Sequence, residues 1–254
     1  MEDERAQRER EQFNRGLRRN FYEGIFSHTH YYYSNKRDRI VSDLLRSKKA
    51  GHFLELGSTA WLAWLEDASI VPARVSCINI SEVELDKGIV RAKQTVNKPD
   101  FQLMDAHDLQ FGSGSFDAVF GAGILHHLDL EKVLKEIERV LKPDGFFVFT
   151  EPLDMNPVGR ILRRLTPKAR TPDEKPFRRT QLARISEEFE CSFYYEEFFS
   201  VPAGVLSRLL FRSPENALCA AAFAIDETLI RKVPRLGPYY RNVLIEGRKR
   251  SSGS

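Results

Sequence analysis

The chain has 254 residues, of which 42% are hydrophobic and 30% are charged, and its formal net charge is +3. This composition is typical of a folded globular protein and excludes disordered, fibrous and membrane-embedded chains. The three cysteines, Cys77, Cys191 and Cys219, form no CxxC pair, so neither a disulfide framework nor a zinc site is indicated. A densely charged start and the lack of an apolar run of about 18 residues predict a cytoplasmic protein.

The first fifty residues, 1–50, predict an N-terminal helical tail and cap. Residues 1–20 alternate Glu and Arg, which is typical of a solvated helix or tail. Residues 21–33 are crowded with aromatic side chains, fit no clear strand and are expected to pack on another part of the chain. Residues 35–49 predict a helix that ends at Ala50 and Gly51, with four apolar side chains on one face: Ile40, Val41, Leu44 and Leu45.

From residue 51 onward, short apolar runs alternate with helical segments, which predicts βαβ units and a parallel sheet. Ser81 and Glu84 form a capping box that starts a helix ending at Ala92, and residues 130–141 predict a second helix with one apolar face. The predicted strands cover residues 52–56, 75–80, 101–104, 116–123 and 145–150.

After Glu151 the regular alternation is interrupted by segments that we expect to recognise the substrate. Two such insertions are predicted within one domain that covers residues 51–250, and a short tail follows it. The segments are insertions at 151–190 and 200–235, a helix near 178–190, an alternating run at 191–199, an apolar helical region at 201–230, a last strand at 242–247 and a tail at 251–254.

Positive charge is concentrated in one segment. Residues 156–185 carry nine basic and two acidic side chains, a net charge of +7, so the rest of the chain has a net charge of −4. Three interpretations stay open: a solvated face over a buried apolar stripe, a docking surface for an acidic or phosphorylated substrate, or an interfacial helix on anionic lipid. An RNA partner is less favoured, because the segment has no run of stacking aromatics. The apolar stripe is Val158, Ile161, Leu162 and Leu165, opposite Arg160, Arg163, Arg164 and Lys168.

Polar residues follow the predicted strands at the edge where open parallel sheets bind ligands. Gly57 allows a tight turn after the first strand. Asn79, 22 residues later, occupies the position at which nucleotide-binding folds place a carboxylate for ribose hydroxyls. Asp105 follows the third strand, and two histidines follow the fourth. We therefore expect a ligand site at this edge of the sheet.

Five motifs occur in order along the middle of the chain: LELGS, INIS, a D-A-x-x-L-x-F-x-x-x-S-F-D run, LHH and ERVLKPDGFFVFTEP. With these motifs, residues 51–152 resemble class I S-adenosylmethionine-dependent methyltransferases, in particular the UbiE-like or type 11 branch that methylates small molecules. The resemblance implies a Rossmann-like α/β fold. Its seven-stranded sheet would have six parallel strands and an antiparallel last strand, flanked by helices, with an N-terminal helical cap and an insertion after strand 5.

The resemblance also implies S-adenosyl-L-methionine as the cofactor, and no motif requires a metal. Thr59 and Trp61 replace glycines of the family's G-x-G-x-G loop, and Asn79 replaces its ribose carboxylate, so weaker cofactor contacts are expected. The implied contacts are Glu55, Gly57, Ser58 and Thr59 for the methionyl part, Asn79 and Ile80 for ribose and adenine, Asp105 and Ala106 for the adenine amino edge, and Gly123 and Ile124 beneath the sulfonium.

Methyl transfer needs a base only when the acceptor atom carries a proton. Similar enzymes that act on sugar hydroxyls use a histidine at the LHH motif and an acidic residue near the end of the fifth strand. His126, His127 and Glu151 are therefore the candidate catalytic residues, and the alternative is that the histidines cap the turn or position the cofactor. The candidate substrate residues are Tyr31, Tyr32 and Tyr33 in the cap and Arg160 and Arg164 in the insertion.

The sequence thus predicts methyl transfer from S-adenosylmethionine to an oxygen or nitrogen of a small molecule, with natural-product or glycan biosynthesis as candidate pathways. Two alternatives stay open. One is a catalytically inactive methyltransferase-fold binding protein, and the other is an RNA methyltransferase that uses the basic segment 160–179. The aromatic N-terminal arm is a candidate for exchange between the subunits of an oligomer.

Overall fold

The computed structural model describes residues 7–8, 10–11, 20–48, 50–65, 74–165 and 175–250. Most of the predicted N-terminal tail and the tail at 251–254 lie outside these residues. The strands are β1 His52–Leu56, β2 Arg74–Asn79, β3 Asp100–Leu103, β4 Phe116–Ala122, β5 Leu141–Pro152, β6 Phe189–Glu196 and β7 Asn242–Lys249. The helices are α1 Asn20–Arg46, α2 Ala60–Trp64, α3 Glu82–Ala92, α4 Leu130–Val140, α5 Pro157–Leu165, α6 Arg179–Glu188, α7 Ser200–Leu210 and α8 Ala217–Lys232.

The strands form one seven-stranded sheet in the order β3-β2-β1-β4-β5-β7-β6. β7 runs antiparallel to both of its neighbours, and the other neighbouring pairs are parallel. This arrangement confirms the predicted sheet of six parallel strands and one antiparallel last strand. The strand order reverses between β1 and β4, which is the point where ligands bind in folds of this kind.

Successive side chains of each strand point to opposite faces of the sheet, and they build two separate hydrophobic clusters. On one face, Val119 and Phe147 pack with residues of α4 and α6. On the other face, Phe120 and Val148 pack with residues of α1 and α2. A strand that is buried on both faces carries a continuous apolar run. This applies to β1, β2 and β4, whereas β3 is an edge strand with no buried residue. All four strands were predicted to within one residue at each end.

The aromatic run at 21–33 belongs to α1, which is one helix of 27 residues that ends at Arg46. Phe26, Thr29 and Tyr33 recur at helical spacing and are buried. The helix predicted at 35–49 therefore begins earlier, at Asn20, and ends at Arg46. None of the described helices combines the length and the apolar character needed to cross a membrane.

The predicted helical region at 201–230 consists of two helices, α7 and α8. Pro214 lies between them and cannot donate a backbone hydrogen bond, so one continuous helix is excluded. Asn216 then caps α8, and its Oδ1 accepts a hydrogen bond from the N–H of Cys219 at 3.0 Å. β5 also begins earlier than predicted, at Leu141 directly after α4.

α1 is attached to the carboxyl end of β6. Nδ1 of His30 lies 2.6 Å from Oε1 of the buried Glu197, and Arg241 pairs with the other carboxylate oxygen. Burial alone would raise the pKa of Glu197, but the charges of His30 and Arg241 outweigh it and lower this pKa to about 2. A second pair joins Nη1 of Arg37 to Glu196 at 2.8 Å. The cap is thus held at the edge where the parallel strands end.

Candidate cofactor site and active site

A cavity of about 370 Å³ opens at the carboxyl ends of β1, β2, β3 and β4. Its volume lies within the range of small-molecule sites. All ten residues that the resemblance assigned to the cofactor line it. They are Glu55, Gly57, Ser58, Thr59, Asn79, Ile80, Asp105, Ala106, Gly123 and Ile124. The turns that follow four separate strands therefore meet at one place.

The turn after β1 is held by a buried carboxylate. Oε1 of Glu55 accepts hydrogen bonds from the N–H groups of Thr59 at 2.8 Å and Ala60 at 2.7 Å, and Oε2 accepts one from Trp61 at 3.2 Å. Burial raises the pKa of Glu55 to about 7, although these donors favour the charged form. Gly57 has a φ of 113°, which a residue with a side chain rarely adopts.

The two residues that replace family glycines leave the cavity open. Thr59 lines it with the rest of the turn. The indole of Trp61 is instead buried in the core, where it packs edge-on against Phe101 with ring centroids 6.3 Å apart. Its Nε1–H donates to the carbonyl oxygen of Ser58 at 3.1 Å. Trp61 therefore supports the turn from behind.

Asn79 ties the turns after β1 and β2 together. Its Oδ1 accepts a hydrogen bond from the N–H of Ser81 at 2.9 Å, and its Nδ2 donates to Oγ of Ser58 at 3.2 Å. Ser58 Oγ in turn donates to the carbonyl oxygen of Glu84 at 3.0 Å. The amide oxygen and the amide nitrogen of Asn79 thus each make a hydrogen bond within the protein. Glu84 also lines the cavity and carries a carboxylate.

The turn after β3 is joined to α4 through a histidine. Oδ1 of Asp105 accepts hydrogen bonds from the backbone N–H of His107 at 2.9 Å and from its Nδ1 at 2.7 Å. Nε2 of His107 accepts the N–H of Asp129 at 2.8 Å, so the ring proton lies on Nδ1. The hydrogen bond from His107 lowers the pKa of Asp105, which keeps this cavity residue charged.

A second buried carboxylate holds the turn after β4. Oε1 of Glu151 accepts the N–H groups of Ile124 at 3.1 Å and Leu125 at 2.8 Å. Oε2 accepts the N–H of His126 at 3.3 Å and lies 2.7 Å from its Nδ1. Gly123 precedes this turn with a φ of 62°. Because β5 lies beside β4 in the sheet, the end of β5 supports a turn that lines the cavity.

The two adjacent histidines have different surroundings. His127 lines the cavity, whereas His126 lies outside the lining and is held by Glu151. Both are buried, and their ring centroids are 4.1 Å apart. His127 is therefore the imidazole that faces the cavity, and His126 packs against it.

The three candidate substrate tyrosines lie on α1 and do not line the cavity. The hydroxyl of the buried Tyr33 donates to Asp226 at 3.2 Å. Tyr31 and Tyr32 meet edge-on at 5.1 Å between ring centroids, and Tyr32 stacks on Phe223 at 5.6 Å. Their observed contacts are those of helix packing.

The candidate substrate arginines, Arg160 and Arg164, are exposed on α5 and are also absent from the cavity lining. Lys168 and Arg170 of the basic segment lie outside the described residues. Ile161 and Leu165 are exposed too, so the interpretation of this helix as a solvated face over a buried apolar stripe is wrong for these two positions.

Four charged cavity residues were missed by the sequence motifs: Glu84, Asp108, Asp129 and Lys132. Glu84 lies in the first turn of α3 and Lys132 in the first turn of α4. The helix caps could have indicated both, because Ser81 and Asp129 accept hydrogen bonds from the first-turn N–H groups of these helices. Each helix follows a parallel strand, so its N-terminus lies at the same edge of the sheet as the cavity.

This sheet order, with an antiparallel seventh strand and a cavity at the ends of β1 to β4, is that of a Rossmann-like α/β fold. A solved structure agrees with this fold. The geranyl diphosphate C-methyltransferase of Streptomyces coelicolor A3(2), in complex with Mg²⁺, geranyl diphosphate and S-adenosyl-L-homocysteine, has a TM-score of 0.60 and 14% identity over 85% of this chain and 79% of that chain. At this identity the likeness concerns the fold alone.

The sequence family described as "Methyltransferase domain", of type 11, matches residues 54–149 of this chain. The O-methyltransferase cnsE of Penicillium expansum is 29% identical over 126 residues, 47% of this chain and 46% of that protein. The C-methyltransferase UbiE of Geotalea uraniireducens (strain Rf4) is 30% identical over 118 residues, 44% of this chain and 50% of that protein. The chain thus spans half or less of the length of these relatives.

Proposed function

We propose that this protein is an S-adenosylmethionine-dependent methyltransferase that acts on an oxygen or nitrogen of a small molecule. The observation that carries the proposal is the cavity, which gathers all ten residues implied for the cofactor. The family match over residues 54–149 supports it. So does the fold shared with a methyltransferase that was solved with S-adenosyl-L-homocysteine.

The polar groups of the cavity fit an adenosyl sulfonium ligand. The charged Asp105 would accept a hydrogen bond from the adenine amino group. Glu84 lines the same cavity and would accept hydrogen bonds from the ribose hydroxyls. The turns at Gly57 and Gly123 would hold the methionyl part and the sulfonium. When bound, the cofactor supplies an electrophilic methyl group.

An imidazole at the cavity supports an acceptor that carries a proton. In this proposal His127 takes the proton from a hydroxyl or ammonium group of the acceptor, and imidazole is suited to this near neutral pH. Glu151 and His126 are positioning residues, because the carboxylate holds both the turn and the ring that packs on His127.

The acceptor atom and the kind of acceptor molecule are supported by separate observations. The relatives are named as oxygen and carbon methyltransferases, so the shared domain does not by itself set the acceptor atom. The choice of oxygen or nitrogen therefore rests on His127. A small molecule is supported by the geranyl diphosphate bound to the structural neighbour. Natural-product or glycan biosynthesis remains the proposed setting.

Calorimetric titration of the full chain with S-adenosylmethionine tests the proposal. We expect saturable binding, and Asp105→Ala should weaken it by about tenfold or more, because a hydrogen bond to a charged group is lost. Asp100→Ala is the matched control, since Asp100 lies at the opposite end of β3 and outside the cavity lining. No binding at millimolar cofactor would contradict the proposal and leave the inactive binding protein as the explanation.

A further inference from the structure

Two neighbouring helices expose many large apolar side chains. α5 packs against α7, and six such side chains lie on them or directly after α7. Their exposure runs from 44% for Phe211 to 78% for Leu209. We call this group the α5–α7 surface. It consists of Ile161, Leu165, Leu206, Leu209, Leu210 and Phe211.

The exposure on α7 follows from helix geometry. Val201, Gly204 and Ser207 recur every third residue and are buried on the side that faces α1. Gly204 allows this close crossing, because a Cβ atom there would lie 2.1 Å from Oγ1 of Thr29. Leu206 and Leu209 therefore point away from α1. The buried side of α7 thus consists of small residues, and its large apolar side chains lie on the exposed side.

Positive charge accompanies these side chains. Arg160 and Arg164 on α5 are exposed, as are Arg208 and Arg212 at the end of α7. Residues 157–165 and 200–212 contain no acidic residue. Within the part of the chain that the structure describes, no carboxylate forms an ion pair with these four arginines. The surface therefore combines exposed apolar groups with guanidinium groups that form no ion pair among the described residues.

We propose that the α5–α7 surface binds the anionic face of a lipid bilayer. The leucines and Phe211 would enter the boundary between headgroups and acyl chains, while the arginines would contact lipid phosphates. A symmetric dimer through this face would bring like charges together, which disfavours a second copy as the occupant. RNA fits less well, because Phe211 is the single aromatic residue of the surface and bases bind by stacking.

Co-sedimentation of the full chain with vesicles tests this proposal. One set of vesicles contains phosphatidylcholine alone, and the other also contains about one-third phosphatidylserine. We expect binding to the anionic set, weakened by added salt because exposed charges are screened. The pair Leu209→Ser and Leu210→Ser should lower the partition coefficient by about tenfold or more. The pair Arg160→Gln and Arg164→Gln should lower it by about tenfold.

The matched control is the pair Val90→Ser and Val96→Ser, which changes exposed apolar side chains in and after α3. This pair should bind vesicles like the unaltered protein, and thermal unfolding should verify that every variant is folded. A titration with S-adenosylmethionine on the same samples should stay unchanged, since the α5–α7 surface does not line the cavity. Failure of lipid binding is thus separable from failure of the proposed function.

Four results would overturn the proposal. The first would be a failure of the unaltered protein to bind anionic vesicles. The second would be binding of the Leu209→Ser and Leu210→Ser variant as strong as that of the unaltered protein. A dimer that dissociates on Leu209→Ser would assign the surface to a second copy of the chain. Salt-sensitive binding of poly-uridine RNA, lost in the arginine pair and without vesicle binding, would assign it to RNA.

Discussion

The turns after β1 and β4 are built alike and serve different purposes. Each is held by a buried glutamate near the end of a strand, and each glutamate accepts hydrogen bonds from three consecutive backbone N–H groups, at 59–61 for Glu55 and 124–126 for Glu151. The remaining partner differs. Glu55 accepts a hydrogen bond from the Cys77 thiol at 3.3 Å, whereas Glu151 lies 2.7 Å from Nδ1 of His126.

The difference shows that a buried carboxylate at a strand end is not by itself a sign of catalysis. Glu55 faces backbone donors and a thiol, and burial raises its pKa to about 7 because these partners only partly offset the loss of water. Glu151 joins its turn to an imidazole that packs on the cavity histidine, His127. The turn after β4 thus connects the sheet to two adjacent imidazoles, of which His127 lines the cavity.

The largest expected effect sharpens the proton-transfer side of this comparison. His127→Asn should lower kcat by about 100-fold or more, because the proton acceptor is lost. Cofactor affinity, measured by calorimetry, should stay nearly unchanged. His126→Asn should lower kcat less, because it removes only the ring that packs on His127. Normal turnover by His127→Asn would contradict its proton-transfer role.

A stability measurement tests whether the turn after β4 depends on its carboxylate. Glu151→Ala removes the buried acceptor of three backbone N–H groups and the partner of His126. We expect the free energy of unfolding to fall by roughly 3 to 5 kcal/mol, measured by urea denaturation. The exposed Glu138→Ala on α4 is the control and should stay within about 0.5 kcal/mol of the unaltered protein. Equal losses of unfolding free energy in both variants would show that the turn after β4 does not depend on Glu151.

Glu55→Gln tests the raised pKa in the turn after β1. The folded-state pKa of about 7 lies above the ordinary value of 4.5, so the folded protein keeps a proton that the unfolded chain releases. The resulting stabilisation is complete below pH 4.5 and is lost as the pH rises through about 7. The unfolding free energy of the unaltered protein minus that of Glu55→Gln should therefore fall by up to about 3 kcal/mol across this window. A pH-independent difference would refute the raised pKa.

The smallest effect concerns the proposed contact of Glu84 with the ribose of the cofactor. Glu84→Gln should weaken binding of S-adenosylmethionine by about fivefold to tenfold, because a charged acceptor of the ribose hydroxyls becomes neutral. Adding Asn79→Asp should restore affinity by placing a carboxylate at the end of β2. Glu82→Gln, exposed on the same helix and outside the cavity lining, is the control. Affinity unchanged in Glu84→Gln would remove this residue from the ribose site.

Much of the fold was predictable because its signals are local. β1 to β4 are apolar runs bounded by turns, and α3 begins where Ser81 Oγ accepts the N–H of Glu84 at 3.3 Å. The aromatic part of α1 carried no such signal. The hydroxyl of the buried Tyr33 donates a hydrogen bond to Asp226, which lies 193 residues further along the chain. Its burial therefore depends on a contact that no sequence window contains.

By itself, the sequence determined which residues follow each strand, and parallel pairing then brings those positions to one edge because parallel strands end on the same side. Only the tertiary structure decided how the side chains at that edge divide their roles. Glu151 reaches back to a turn up to 27 residues earlier, since β5 lies beside β4, and this contact separates His126 from the cavity-facing His127. Likewise, Trp61 turned into the core and Ile161 and Leu165 toward solvent, because packing between distant segments sets which face of a short helix is covered.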